Sequence, residues 1–341
     1  MMAWLIVVPL FWGGLAFALG PRHARWLGVA GTALQCWLAL DLARHIVSAP
    51  VALTLAVGGW EAPLGIVLAA DGLSGAMLLL TQYVALPILI YAAVYFKDGD
   101  AAGAFFWPLA GLLLSGLNAL FLSADLFNIY VTLELVGLAA VGLVASGGGA
   151  AQLAAALRYL FATLVGSGAY LMGVALIYGT YGTVSNALLV PLIAEAAPPA
   201  AVIAGILMLA GLLLKTALFP FHYWLPPAHG GAAAPVSALL SALVVKASFY
   251  LILRLWTGPL APLAEAVDWL SWLPAGLGAL AIFWGSWKAI RAARLKMLIA
   301  YSTVAQLGYL FLIFPLLASA AALPAAVMQA FAHGLAKAAM F

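Results

Sequence analysis

The feature that constrains this chain most is a succession of apolar runs, each long enough to cross a lipid bilayer. A spanning helix needs about 20 apolar residues. About eleven such runs follow one another, at 3–20, 26–47, 71–96, 104–122, 124–145, 152–180, 200–226, 232–255, 267–289, 295–317 and 322–341. Backbone groups in hydrocarbon must satisfy their own hydrogen bonds, so the runs predict an all-α polytopic membrane protein. The alternation over about ten residues that marks a β-barrel strand is missing.

Composition supports the membrane class and excludes several kinds of site. The chain is 67% hydrophobic and 7% charged, whereas soluble domains carry about 25% charged residues. Its single cysteine, Cys36, cannot form an internal disulfide or a cysteine-rich metal site. The sequence contains no nucleotide, haem or iron–sulfur motif. We therefore predict no cofactor, no metal site and no nucleic-acid partner, and leave open whether the chain is part of an enzyme.

The distribution of positive residues predicts the orientation. Of 13 Lys and Arg residues, three lie inside runs and two, Arg44 and Arg254, fall on the side opposite the first loop. The remaining eight fall on the side of the first loop: Arg22, Arg25, Lys97, Arg158, Lys288, Arg291, Arg294 and Lys296. The last three of these are interpreted as topology charges. Cytoplasmic loops carry the excess of Lys and Arg, so the N-terminus is predicted to lie outside.

Three further features concern the ends of the runs. The segment 48–70 predicts a short external hairpin around Gly58 and Gly59. Asp71 and Asp125 open the third and fifth runs and are interpreted as helix caps. The last run stops without a polar flank, so we expect the chain to be cut inside a longer protein.

Four ionisable side chains lie well inside the runs: Glu134, Lys215, Lys246 and Lys337. Each costs roughly 2.5–3.5 kcal/mol at a helix centre. A lysine stem reaches about 6 Å, whereas the midplane lies about 15 Å from the edge of the hydrocarbon. The three lysines are therefore expected to face one another, Glu134 or internal water. A static ion pair that only fixes helix packing is the alternative.

A proline interrupts the seventh run beside Lys215, in LLLKTALFPFHYWLPPAHGG (212–231). Pro220 removes a backbone donor and clashes with the preceding turn, so the helix is predicted to break near 216–219. The break leaves carbonyls free at a helix end whose dipole favours a cation. Broken helices beside buried charge are typical of transporters. A lysine with Glu134 as a movable partner can load and release a proton.

The histidines leave alternatives open. His333 and Lys337 share a helix face. They could form a proton relay, or His333 could be a buried residue bonded to a backbone carbonyl. His222 and His229 are interpreted as interfacial anchors in preference to residues that mark a proton entrance. The polar residues of the tenth run favour hydrogen bonds between helices over a water channel: Tyr301, Ser302, Thr303 and Gln306.

Four segments resemble one family: 125–145, 213–255, 295–312 and 332–341 look like the antiporter-like membrane subunits. That family comprises proton-pumping subunits of respiratory complex I, the A and D subunits of Mrp-type Na+/H+ antiporters, and relatives in membrane-bound hydrogenases. Residues 58–81 look most like the D subunit of Mrp antiporters. One departure is Pro227, in WLPPAH, where the family usually has aspartate.

The resemblance implies a site and a mechanism. The glutamate of the family's fifth helix matches Glu134, and the lysines of its broken seventh and its eighth helices match Lys215 and Lys246. The histidine and lysine of its eleventh helix match His333 and Lys337. In the family these residues form a hydrophilic axis at the midplane that carries protons.

The resemblance also implies an organisation with two inverted repeats. Residues 1–103 would form three helices with the external hairpin, 104–257 the first five-helix repeat, and 258–341 the start of the second, cut in helix 11. The expected function is a proton- and cation-translocating subunit of a multisubunit Mrp-type antiporter. It would lie in the inner (plasma) membrane, among other membrane subunits, and move protons and Na+ or K+. The alternatives are a proton-pumping subunit of complex I or a hydrogenase and, from another class, a stand-alone transporter or a structural scaffold.

Overall fold

The protein is built almost entirely of long helices. The computed structural model describes residues 1–97, 99–266 and 268–341. Within these residues, nine helices are long and apolar enough to cross a membrane. The helices in chain order are α1 (Met2–Leu19), α2 (Pro21–Ser48), α3 (Gly72–Tyr95), α4 (Ala101–Leu122), α5 (Leu126–Ala145), α6 (Ala150–Tyr181), α7 (Asn186–Glu195), α8 (Pro199–Thr216), α9 (Leu225–Gly231), α10 (Ala234–Leu239), α11 (Val245–Trp256), α12 (Ala261–Ala266), α13 (Asp268–Ile290), α14 (Leu295–Phe311) and α15 (Ala322–Met340).

This architecture confirms the predicted all-α polytopic membrane fold. The nine spans match the first eight runs and the tenth, with α8–α9 and α10–α11 each forming one span. Helices α13 and α15 lie where the ninth and eleventh runs were predicted. The ninth run was predicted to begin at Val267, which lies outside the described residues. The total of eleven spans and the outward N-terminus stay predictions.

The predicted hairpin is present between α2 and α3. Strand β1 (Leu53–Ala56) pairs antiparallel with β2 (Val67–Ala70). Gly58 and Gly59 turn the chain with φ angles of 69° and 82°, in the left-handed region that favours glycine. The loop after α4 joins this hairpin, since the backbone N–H of Ala124 donates to the carbonyl of Val67 at 3.1 Å. The two loops therefore lie on one face of the protein.

Helices α6 and α8 approach closely because glycines lie where they cross. A Cβ added to Gly211 would clash with the carbonyl oxygen of Gly166, and one added to Gly166 would lie 2.8 Å from the carbonyl oxygen of Gly211. Small residues let helix backbones approach in a membrane. This contact brings the last turn of α8 against the middle of α6.

Asp71 caps α3, as predicted, and also ties α3 to the end of α11. Its carboxylate accepts from the backbone N–H of Ser74 at 3.0 Å. Both carboxylate oxygens accept from Arg254, at 2.5 and 2.7 Å. Arg254 also donates to the hydroxyl of Tyr250, which in turn donates to the carbonyl of Phe121 on α4 at 2.8 Å. The sequence predicted the cap but not the ion pair.

Arg254→Met is expected to destabilise the protein, and the effect should depend on pH. Burial raises the pKa of Asp71, but the hydrogen bonds and charge of Arg254 outweigh it and lower this pKa from 3.8 to about 2. The pair therefore stabilises the protein above the ordinary pKa, and the contribution is lost as pH falls through about 2. Because both side chains are partly exposed, we expect a loss of about 1 kcal/mol near neutral pH.

Thermal unfolding of the purified protein at several pH values measures this effect. The unfolding temperature of Arg254→Met should be lower than that of the wild type near neutral pH and converge with it toward pH 2. Arg44→Met, at an exposed arginine, is the control. Equal unfolding temperatures near neutral pH would show that the pair contributes nothing.

Candidate functional site

The predicted break of the seventh span is present. Helix α8 ends at Thr216, and Ala217 adopts a left-handed backbone with φ 58° and ψ 35°. A single 3₁₀ turn (Phe221–Trp224) follows Pro220 and leads into α9. The break therefore falls where Pro220 predicted it, and Lys215 is the penultimate residue of α8.

Two carbonyls in the last turn of α8 are not free, contrary to expectation. The carbonyl of Leu214 accepts from the backbone N–H of Ala217 at 3.1 Å and from the indole of Trp224 at 2.9 Å. The carbonyl of Leu213 accepts from the N–H of Leu218 at 3.2 Å. The ring of Trp224 stacks on Tyr159 of α6 with centroids 4.2 Å apart. The chain after the break thus caps the half-helix itself, and the side chain of Lys215 is directed elsewhere.

Lys215 bonds to two side chains on neighbouring helices. Its Nζ lies 3.3 Å from Oε1 of Glu134 on α5 and 2.5 Å from Oγ1 of Thr163 on α6. Lys215 is only 7% exposed. The expected partner, Glu134, is therefore in place. Thr163 was missed, because nothing in the sequence separates it from a threonine that packs in an apolar helix.

Two glycines make room for this cluster. A Cβ on Gly137 of α5 would lie 2.7 Å from Oγ1 of Thr163 and 3.5 Å from Nζ of Lys215. A Cβ on Gly166 of α6 would lie 3.1 Å from Cγ of Lys215. The contact between Lys215 and Thr163 thus depends on the absence of side chains at both positions.

A small cavity of about 10 Å³, close to the size of one water site, adjoins the cluster and reaches α11. Thr163, Lys215 and Tyr159 line it on one side, and Val244 and Ser248 line it on the other. This space joins Lys215 to the span that carries Lys246.

Lys246 is fully buried and bonds to backbone carbonyls instead of a carboxylate. Its Nζ donates to the carbonyls of Ser241 at 3.1 Å and Ala242 at 2.8 Å. Both lie in a π-helical segment, Leu240–Val244, between α10 and α11. Such π-bulges occur mostly within α-helices and frequently at functional sites. No feature of the sequence predicted this segment.

Lys337 and His333 are both buried on α15. Nζ of Lys337 donates to the carbonyl of Ile299 at 3.0 Å and to the hydroxyl of Ser302. Within the described residues, neither ring nitrogen of His333 has a partner, so the alternative of a histidine bonded to a carbonyl is wrong. The lysines were expected to face one another, Glu134 or internal water. Lys215 does pair with Glu134, whereas backbone carbonyls accept from Lys246 and Lys337, which the sequence did not predict.

The interpretations of His229 as an interfacial anchor and of Lys296 as a topology charge are corrected by the structure. His229 is fully buried, so it is not an interfacial anchor. Within the described residues its ring nitrogens are unpartnered, and it lies within electrostatic range of Lys246, Lys296 and Lys337. Lys296 is not merely a topology charge, since its Nζ donates to the carbonyl of Ala232 at 2.5 Å. It thereby ties α14 to the turn after α9.

The tenth run forms hydrogen bonds between helices, as favoured. Thr303 shares a 2.9 Å hydrogen bond with Ser241 of the π-helical segment. Gln306 accepts from Gln329 of α15 at 3.0 Å. The hydroxyl of Thr303 also donates to the carbonyl of Ile299, which binds Lys337. Polar contacts therefore connect the surroundings of Lys246 and Lys337.

The arrangement is suited to moving protons. An amine in a low-dielectric site gains or loses a proton according to the charges beside it. One part of the site pairs an amine with a carboxylate, and the other gathers Lys246, Lys337, His229 and His333. Among the described residues no three His, Cys, Asp or Glu side chains group as metal ligands.

Comparisons with known proteins identify related membrane subunits. The family model for the transmembrane region of NADH:quinone oxidoreductase and Mrp antiporters matches residues 123–341. The N subunit of NADH-quinone oxidoreductase from Desulforudis audaxviator is 35% identical over 296 residues, which cover 84% of this chain and 57% of that protein. The D subunit of the Na(+)/H(+) antiporter from Alkalihalophilus pseudofirmus is 28% identical over 312 residues, which cover 89% and 62%.

A solved structure shows the same fold. A chain of the Mrp complex from Dietzia sp. superposes with a TM-score of 0.89 at 28% identity, over 99% of this chain and 62% of that one. The chain thus spans 57% and 62% of the lengths of these two relatives. The family match covers more than half of the chain, and the chain belongs to the NADH:quinone oxidoreductase/Mrp antiporter family of transmembrane subunits.

Proposed function

We propose that the chain is a proton- and cation-translocating subunit of a multisubunit Mrp-type monovalent cation/proton antiporter. It works in the inner (plasma) membrane together with other membrane subunits, with residues 104–257 as its first repeat. The observation that carries the proposal is the buried cluster of Lys215, Glu134 and Thr163 at a broken span, beside a cavity that reaches α11. The relative named as the D subunit of an antiporter and the Mrp structure support this assignment.

The proposed mechanism uses Glu134 as a movable counter-charge. With Glu134 beside it, the ammonium form of Lys215 is stabilised. When Glu134 turns away, the buried ammonium loses this stabilisation and releases its proton into the cavity. The proton then passes to Lys246 on α11 and on toward Lys337 and His333.

A proton-pumping membrane subunit of an NADH-quinone oxidoreductase, or of a related hydrogenase, is the second candidate. The relative named as the N subunit of that oxidoreductase, at 35% identity, favours it. In that assignment the same residues move protons, but redox chemistry in other subunits drives them.

Everted vesicles distinguish the two candidates. The complete reading frame, with its neighbouring genes, is expressed in a host that lacks its own antiporters. Respiration acidifies the vesicle interior, Na+ or K+ is added, and a dye reports the pH gradient. Cation-dependent collapse of the gradient supports the antiporter. Proton uptake driven by an added electron donor, without a cation response, supports the pump. Absence of both would contradict translocation.

Gly137→Ala is expected to slow transport several-fold without lowering the amount of assembled protein. The added methyl group would lie 2.7 Å from Oγ1 of Thr163 and push this hydroxyl away from Lys215. Gly168→Ala on α6 is the control, since its Cβ would meet nothing within 4 Å. The vesicle assay at matched protein levels measures the effect, and equal rates in the two variants would contradict it.

A further inference from the structure

The hydroxyl of Thr163 differs from those of most helical threonines in this protein. In the described part of the chain, six other threonines donate to the carbonyl four residues earlier: Thr81, Thr132, Thr180, Thr216, Thr257 and Thr303. Within the same residues, the only hydrogen bond of the Thr163 hydroxyl joins it to Lys215. Its proton is therefore not committed to its own helix.

The surroundings of Thr163 are built around this contact. Thr163 is 3% exposed, and the glycine at 137 leaves the space that its hydroxyl occupies. The carbonyl of Thr163 accepts from the hydroxyl of Ser167 at 2.7 Å. The threonine also lines the cavity that reaches Ser248 on α11.

A hydroxyl and a carboxylate bind a lysine differently in its two protonation states. A hydroxyl has a donor and two acceptor lone pairs, whereas an ionised carboxylate only accepts. Thr163 can accept from the ammonium form of Lys215 and, after a rotation about its C–O bond, donate to the neutral amine. Glu134, while ionised, binds only the ammonium form.

We propose that Thr163 is a positioning residue for proton transfer, whose reversible hydrogen bond keeps Nζ of Lys215 at the cavity in both protonation states. This inference rests on the proposed function. Glu134 is then free to move, because Lys215 keeps a partner without it. The titratable groups that face Lys215 from the described neighbouring helices are Glu134 on α5 and Tyr159 on α6, while Ser248 faces it across the cavity from α11.

Thr163→Val tests the inference, since valine keeps the branched shape and removes the hydroxyl. We expect transport in everted vesicles to fall about tenfold. We also expect the alkaline limb of its pH profile to move down by about one pH unit, because the charge-assisted hydrogen bond that the ammonium form loses is stronger than the one that the neutral amine loses. Thr163→Ser should restore the rate and the profile. Thr180→Val, on the same helix, is the control, because that hydroxyl donates to its own helix at 2.7 Å.

The outcomes separate this inference from the proposed function. Wild-type rate and pH profile in Thr163→Val, with transport lost in Lys215→Ala, would overturn the role of Thr163 alone. Transport retained in Lys215→Ala would overturn the proposed function. Where valine lowers the assembled amount, Thr163→Ala replaces it, because alanine removes the hydroxyl without adding bulk. Equal rates and profiles in Thr163→Ala and Thr163→Ser would again overturn the inference.

Discussion

Lys215→Ala is expected to abolish cation-dependent proton movement while leaving the protein assembled in the membrane. Lys215 is the amine that Glu134 and Thr163 hold beside the cavity. Alanine leaves no group there to take up a proton. Losing a positioned acid–base group typically slows a proton transfer by about a hundredfold or more.

Assembly should survive because the variant does not leave a fully buried charge behind. Removing one partner of a buried ion pair costs about 3–5 kcal/mol when the remaining charge is sealed from water. The side chain of Glu134 is 17% exposed, so it is not sealed from water. The vesicle assay, with protein level read by immunoblot, measures both effects.

Lys97→Ala is the matched control for the loss of a lysine. Lys97 is exposed and lies outside the spans. Its variant should transport at the wild-type rate. If Lys215→Ala at a normal protein level matched Lys97→Ala, Lys215 would not be a proton carrier.

Glu134→Gln is expected to slow transport at least about tenfold. Glutamine keeps the size of glutamate and can still accept from Lys215, but its charge is absent. At 3.3 Å the charge pair contributes on the order of 4 kcal/mol to the preference for the ammonium form, less what solvent screens. Without this charge, movement of residue 134 no longer changes the affinity of Lys215 for its proton.

Glu195→Gln, at an exposed glutamate at the end of α7, is the control for the charge change. The same assay, run across a range of pH, measures rate and profile together. Wild-type transport in Glu134→Gln would mean that hydrogen bonding at residue 134, and not its charge, serves Lys215.

The sequence predicted the fold and the lysine–glutamate pair because both follow from free-energy costs in a bilayer: those of unpaired backbone groups and of unpaired charges. Apolar runs longer than about 17 residues must be helical in a bilayer. A charge at the centre of a run must find a partner, which identified Lys215 and Glu134. Pro220 cannot continue a helix, which placed the break. The hairpin followed from Gly58 and Gly59 between β-forming residues.

The remaining parts of the site depend on contacts between distant segments. The contact of Thr163 with Lys215 could not be predicted, because it depends on the glycines that let α6 and α8 approach each other. The π-helical segment that holds Lys246 has no signal of its own in an apolar run. His229 was misassigned because aromatic neighbours resemble an interfacial belt, whereas packing buries it. These features arise from tertiary structure, which local pattern does not determine.

If Lys215 and Glu134 act as one proton-loading unit, their substitutions should not have additive effects, and a double-mutant cycle measures this. Transport rates are compared in the wild type, Lys215→Ala, Glu134→Gln and the double variant, at equal protein levels in everted vesicles. We expect the double variant to transport no more slowly than Lys215→Ala alone, because the charge at residue 134 acts only through the lysine. Measurable transport in Lys215→Ala that Glu134→Gln lowers further by its full factor would show that the two residues act independently.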